Sequence, residues 1–209
     1  MDADLGWRGL DDNEEDLTGE GASGLMDAEL LRLLVERLAE KLEEVDAPSQ
    51  TVVLVGGACL SLVGIRPAGE LTRDLDSLTS LSEPTVRAVG EIAAEFPELG
   101  LSSGWLNSAV RMFWPQGLRE QDCSAILEYG RLRVLAPPNS YLFVMKLLAY
   151  RQQDQADMRL LWPSCGFSSV EDAVELYWEC YPGALVDPFL GEAVGEIISP
   201  NNSVEDTGP

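Results

Sequence analysis

Two short stretches hold residues whose types and spacing suit chemistry: Val55-Gly56-Gly57 and Thr72-Arg73-Asp74-Leu75-Asp76. Leu71 to Thr79 alternates as a strand does, and on a strand residues i and i+2 share a face. Asp74 and Asp76 then sit within about 7 Å and repel by roughly 2 to 4 kcal/mol at an effective dielectric of about 20. A shared proton, a basic neighbour or a hard cation must offset that repulsion. Mg2+ fits best, because it takes a few carboxylate oxygens and fills its other octahedral positions with water and phosphate oxygens. A solvated strand face also explains an isolated Asp-x-Asp. The glycine pair ends a strand and opens a helix, where unhindered backbone N–H groups favour phosphate oxygens. Read alone, it also fits a structural turn. It is too short for a Walker loop, lacks the lysine, and does not match Gly-x-Gly-x-x-Gly.

The elements that must position these residues follow from periodicity. From Asp27, a helix N-cap, Leu31, Leu34, Val35, Leu38, Leu42 and Val45 keep helical spacing to about Asp46. Thr51 to Val55 is an uninterrupted apolar, β-branched run, as in a central buried strand, and Ala58 to Gly64 reads as a short helix. Pro84 in a first turn begins a helix over Glu83 to Phe96. Cys123 to Tyr129 and Arg131 to Leu135, split by Gly130, read as a hairpin or as two sheet strands. After Pro137-Pro138, Asn139 is expected to cap one helix running past Arg151, with Leu142, Met145, Leu148 and Ala149 buried. Ser168-x-x-Glu171 reads as a capping box, and Asp187-Pro188 opens a last helix. On the helix beyond Asn139, Lys146, Tyr150 and Asp154 stand at i, i+4 and i+8, and Arg151 and Asp154 at i, i+3. That stripe puts Lys146 or Arg151 within reach of phosphates, with Asp154 and Asp157 anchoring the cations; a plain exposed face with internal ion pairs also fits.

Composition removes whole reaction classes. The 209 residues hold 36 acidic and 14 basic side chains and no histidine, a formal net charge of -22. The missing imidazole excludes Ser-His-Asp and Cys-His catalysis and the commonest zinc ligand. A broad basic nucleic-acid surface is disfavoured, so a polyanionic ligand needs a local cationic pocket or a metal. Cys59, Cys123, Cys165 and Cys180 form no Cys-x-x-Cys pair, which reads as reduced cysteines in a cytoplasmic protein. No apolar run reaches the roughly 20 residues that span a bilayer, so no membrane partner is expected.

Taken together, "VGGACLSLVG" followed by "ELTRDLDSLT" resembles the nucleotidyltransferase superfamily: strand, Gly-Gly, helix, acidic strand. Thr72 and Arg73 match the Thr-Arg that often precedes the acids in its AbiEii-like and related branches, which are linked to toxin–antitoxin systems and phage defence. "GWLNSAVRMFWP" and "MKLLAYRQQDQAD" are similar to further segments of those branches, so the resemblance spans roughly Thr51 to Leu161. It implies an α/β (α+β) fold, a small mixed sheet flanked by helices, with a helical C-terminal part. It also implies nucleotide transfer from an NTP to RNA, such as tRNA, or to protein. Asp74 and Asp76 would hold two Mg2+, with Glu128 the nearest third acid and Asp122 a poorer one. Gly56, Gly57, Thr72, Arg73, Arg151 and Asp154 would bind the nucleotide, and Lys146 would neutralise developing charge. Ser108 departs from the acid that often follows Trp-Leu-Asn. A catalytically degenerate member, acting as an antitoxin-like or regulatory partner of a basic protein, is the alternative; strong acidity also fits high-salt adaptation or nucleic-acid mimicry.

The expected organisation is one domain over residues 25–165, with helices over 166–198 packed on it. Residues 1–24, with eight acids and one arginine, and 199–209 read as disordered tails.

Overall fold

A computed structural model describes residues 24–199. Apart from Gly24 and Ser199, the two expected tails lie outside the described residues.

The chain folds as a five-stranded mixed sheet flanked by helices, the expected α+β class. Helix α1 (Ala28–Glu44) starts at Asp27, whose carboxylate accepts from the N–H groups of Glu29 and Leu30 at 3.1 and 2.9 Å. Its buried stripe is Leu31, Leu34, Val35, Leu38 and Leu42. Val45 lies at the C-cap and is exposed, so the stripe ends there.

Strand β1 (Gln50–Val55) occupies the middle of the sheet, in the order β3-β2-β1-β5-β4. A strand with neighbours on both sides and layers on both faces has no solvent side, which accounts for its unbroken apolar run. Val52, Val53, Leu54 and Val55 are all buried. Helix α2 (Gly56–Leu62) begins at Gly56 itself, two residues earlier than expected.

The acidic segment is shorter as a strand than its alternation suggests. Strand β2 covers only Leu75–Ser77, antiparallel to β1, with Val55 opposite Asp76. Ahead of it, Thr72 forms an isolated bridge with Met26. Beyond it, the Thr79 hydroxyl accepts from the Val53 N–H at 3.1 Å, where a continuing ladder would supply a backbone carbonyl. Asp74 therefore stands just outside the strand.

Helix α3 (Glu83–Glu95) follows, capped by Ser82. Strand β3 (Leu106–Asn107) runs parallel to β2, with Asp76 opposite Asn107. A short 3-10 segment, Ala109–Phe113, comes next. Strands β4 (Ser124–Tyr129) and β5 (Leu132–Ala136) form a hairpin, and β5 pairs in parallel with β1.

The helix expected to run from Asn139 past Arg151 is two helices. Helix α4 (Asn139–Ala149) stops at Tyr150, which adopts a left-handed conformation (φ 49°), and α5 (Asp154–Leu161) starts afresh. Pro138, not Asn139, occupies the N-cap, and the Asn139 amide donates to Ser164 Oγ at 2.9 Å. Of the four residues expected to be buried, only Leu142 is fully so; Met145, Leu148 and Ala149 are half-buried along a cleft.

Helix α6 (Val170–Cys180) begins one residue later than expected, with Ser169 and Asp172 forming the capping box. Helix α7 (Leu190–Ile198) follows the Asp187-Pro188 step. Ala173, Tyr177, Cys180, Leu190, Val194 and Ile197 join the same hydrophobic core as the sheet.

Candidate functional site

The β1–α2 turn and β2 meet because antiparallel register puts Val55 beside Asp76. Gly56 has φ +70°, a left-handed conformation that side chains rarely adopt, and a Cβ there would lie 3.4 Å from Asp76 Oδ2. The second glycine serves a different neighbour. A Cβ on Gly57 would stand 2.5 Å from Arg66 Nη1, so the missing side chain is what lets that guanidinium lie against the turn.

Asp76 is half-buried and Asp74 lies at the surface. Burial pushes the Asp76 carboxyl above the ordinary carboxylate range, and the Asp74 charge adds to this; the neighbouring Asn107 amide and the positive charges of Arg151 and Lys146 oppose it. Asp74 is raised too, by desolvation, with Arg151 and Arg73 pulling the other way. Neither carboxylate forms an ion pair with a Lys or Arg among the described residues. Two adjacent carboxylates with raised proton affinity and cations only at longer range suit a hard cation, so the residues present fit Mg2+.

Opposite this pair lies a buried ionic cluster that the break after α4 creates. Eight residues along one continuous helix would separate Lys146 from Asp154 by about 12 Å. With Tyr150 turning the chain, Lys146 Nζ instead reaches Asp154 Oδ1 at 2.7 Å and Asp157 Oδ2 at 2.6 Å. Lys146 is 7% exposed, and Asp154 and Asp157 are 3%. Arg66 clasps Asp157 through Nε and Nη2 at 2.7 and 2.6 Å, a bidentate pair. Arg151 reaches Asp154 Oδ2 through Nε at 2.8 Å. Burial raises the Asp157 carboxyl, but the Arg66 hydrogen bond and the Lys146 ammonium outweigh it and hold it below the usual range. Lys146, Arg66 and Arg151 thus converge on Asp154 and Asp157, a local concentration of cations inside a strongly acidic chain.

Between the acidic pair and this cluster runs a cleft of about 90 Å³. Gly56, Asp76, Lys146, Arg151 and Asp154 line its polar side. Val110, Phe113, Met145 and Leu148 are on its apolar side. At roughly 30 Å³ per water it holds a few waters or one phosphoryl group, and it is smaller than the about 300–1,000 Å³ of a typical ligand pocket.

The remaining expected residues are spread more widely. Thr72 is committed to its backbone bridge with Met26, and its hydroxyl donates to the Asp74 carbonyl at 3.3 Å. Arg73 is exposed. Glu128 does not join the pair: it sits on β4, three strands from β2 across the sheet or about 14 Å. There its exposed side chain binds Arg133 Nε at 2.8 Å. Asp122 pairs with Arg119 and caps a local turn. Ser108 is the residue after β3, and its carbonyl accepts from the Arg111 N–H.

Two participants escaped the sequence reading. Asn107 faces Asp76 through strand register, and Arg66 reaches Asp157 from the α2–β2 connection. The acid-rich first turn of α5, Asp154 and Asp157, was the one available signal that a new helix starts there.

All four cysteines are free, and burial pushes the Cys59 thiol up to about 12, so it is no nucleophile at neutral pH. Among the described residues, no helix is long and apolar enough to cross a membrane. No protein-family model, no curated protein and no solved structure matches the chain.

Proposed function

We propose that the protein binds Mg2+ and a nucleoside triphosphate at this cleft and transfers a nucleotide from it to an RNA, such as tRNA, or to a protein side chain. The observation that supports this reading is the shared cleft of Asp76, Gly56 and Lys146, with the Asp76 carboxylate and a buried, doubly anchored ammonium in its lining. Asp154 and Asp157 hold Lys146 in one place, so its charge meets a transferring phosphoryl group without reorganisation. Arg151, at the cleft and tied to Asp154, adds charge to the same side. Gly56 leaves the floor open beside Asp76. Asp74 and Asp76 would hold Mg2+, which supplies Lewis-acid polarisation of phosphoryl oxygens when bound. In the transfer, an acceptor hydroxyl oxygen bonds to the α-phosphorus and gives up its proton to water, the α–β anhydride bond breaks, and pyrophosphate leaves with the electron pair.

A second reading, a catalytically degenerate member of this fold that serves as an antitoxin-like or regulatory partner of a basic protein, is favoured by two observations. The residue opposite Asp76 is Asn107, a neutral amide, and the cleft is small for a whole nucleotide.

Calorimetry with each NTP and Mg2+ separates the two. Binding is expected for wild type and for Glu128→Gln, and its loss in Asp74→Ala and Asp76→Ala. Unchanged binding in both Asp variants would sink the enzyme reading. Incubation with labelled NTP, Mg2+, total RNA and lysate then identifies the acceptor; recovery of one stoichiometric basic protein without label transfer supports the second reading.

A further inference from the structure

The sheet order leaves β4 at one end, paired with β5 on one side only. In an antiparallel ladder alternate residues send their N–H and C=O groups to the neighbour, and the residues between them send theirs outward. No hydrogen bond joins that outer edge to another group among the described residues. Ser124–Tyr129 carries neither proline nor lysine, the residues that commonly blunt such an edge. Its one charged side chain, Glu128, is tied back to Arg133 at 2.8 Å. The edge is as long as an ordinary strand, enough to template another.

A groove opens at the hairpin end of the same strand. It measures about 210 Å³ and is lined by Glu36, Ala39, Glu40 and Glu43 of α1 together with Tyr129 and Gly130. Three exposed carboxylates there meet an aromatic ring and the buried Ala39. Gly130 (φ +48°) lets the turn close against α1, because a side chain at that position would collide with the Glu43 carboxylate. Glu40 holds Arg37 at 2.9 Å and Glu43 holds Arg131 at 3.2 Å, while Glu36 forms no ion pair among the described residues.

One chemistry answers both features. A strand added to β4 satisfies the outward backbone groups, and a lysine or arginine on it suits the groove, its stem against Tyr129 and Ala39 and its head among the glutamates. Charge selects such a partner over a second copy of this chain, since two copies at -22 each repel. The bulge between Ala125 and Leu127 acts in the same direction: it twists the edge out of the flat line that two rigid sheets need, whereas a pliable extended segment follows it.

We propose that the β4 edge and the α1 groove form one docking surface for an extended, basic segment of a partner protein, which adds a strand to the sheet and places a lysine or arginine in the groove. The surface shares no lining residue with the cleft, so it stands whichever reading of the cleft holds.

The test adds a fluorescent peptide of alternating lysine and valine, long enough to span β4, to the full chain at low ionic strength. Anisotropy reads affinity, and amide hydrogen exchange reads β4. Binding with protection of the outward β4 amides is expected. Two further peptides carry N-methyl groups on the lysines or on the valines, which leaves the charge unchanged and blocks one hydrogen-bonding edge of the added strand in each. One of these should keep its affinity and the other lose about tenfold or more, as the loss of several backbone hydrogen bonds dictates. Glutamate in place of lysine should abolish binding. Glu36→Gln combined with Glu40→Gln should bind the lysine peptide about tenfold more weakly while its melting temperature and its NTP binding stay at wild-type values. Equal affinity of the two N-methylated peptides overturns strand addition, and equal affinity of the glutamine variant overturns the groove. No binding of the lysine peptide, or equal binding of the glutamate peptide, overturns the proposal outright. Protection of the outward β4 amides in the free chain means that a second copy or the chain's own terminal segments already cover the edge, and overturns it as well.

Discussion

Asp157 accepts from two cations at once, Arg66 and Lys146, in surroundings with little water. Replacing it with Asn keeps the shape and removes the charge, leaving both cations short of a counter-ion. Losing one member of a buried ionic group typically costs about 3–5 kcal/mol, far more than a surface pair. Asp157→Asn is expected to lower the unfolding free energy by that order in a urea titration; a loss below about 1 kcal/mol would mean that water reaches the cluster. Asp157 and Asp76 respond to pH in opposite senses. Asp157 lies below its ordinary value of 3.8, so its stabilisation is present above that pH and fades as pH falls through the lowered value. Asp76 lies above 3.8, so its contribution is complete below that pH and is lost as pH rises through the raised value. A cation at Asp76 competes with that same proton. Mn2+ affinity should therefore begin to fall on acidification at a pH above 3.8, the onset for an unperturbed pair. Calorimetry at stepped pH checks this, and an onset at the ordinary carboxylate value would contradict the burial argument. At this scale the sequence displayed Asp74 and Asp76 as near neighbours in the chain, although only Asp76 lies on β2 and a shared strand face is not what joins them. It did not display Asn107 or Arg66, whose partners are set by strand register and loop folding.

The elements that position the site divide by how local their cause is. β1 was legible because a doubly covered strand needs an unbroken apolar run, and α3 because Ser82-Glu83-Pro84 is a local start signal. The break between α4 and α5 was not, since Ala149-Tyr150-Arg151 contains neither glycine nor proline. Tyr150 takes a left-handed conformation that costs roughly 1–2 kcal/mol for such a residue. The turn is offset by contacts made across it, the pairs of Lys146 with Asp154 and Asp157. Likewise Gly56-Gly57 read as one motif, yet the two glycines answer to different elements, Gly56 to β2 and Gly57 to the α2–β2 connection. Gly57→Ala should therefore force the Arg66 guanidinium off Asp157. In a double-mutant cycle with Arg66→Ala, the alanine should cost less once the guanidinium is gone, with a coupling of about 1 kcal/mol or more. Additive losses would mean that Gly57 is required for the backbone alone.

The whole molecule opposes the ligand that its cleft suits. The chain carries a net charge of -22 while its cleft holds the cations Lys146 and Arg151, so an approaching triphosphate meets repulsion at long range and attraction only at contact. Salt acts on these unequally. The Debye length shrinks from about 30 Å at 0.01 M to about 8 Å at 0.15 M, which removes the long-range field while leaving buried pairs little changed. Stopped-flow association of a fluorescent NTP with Mg2+ is therefore expected to quicken over that range, by about tenfold if repulsion is comparable to the steering known between opposite charges. The same field would draw a basic protein in, so association with such a partner should slow with salt. The two proposed functions thus predict opposite salt slopes for their respective ligands. An NTP association rate that falls with salt would mean that Lys146 and Arg151 govern approach as well as contact, and that the acidic surface lies too far from the cleft mouth to matter.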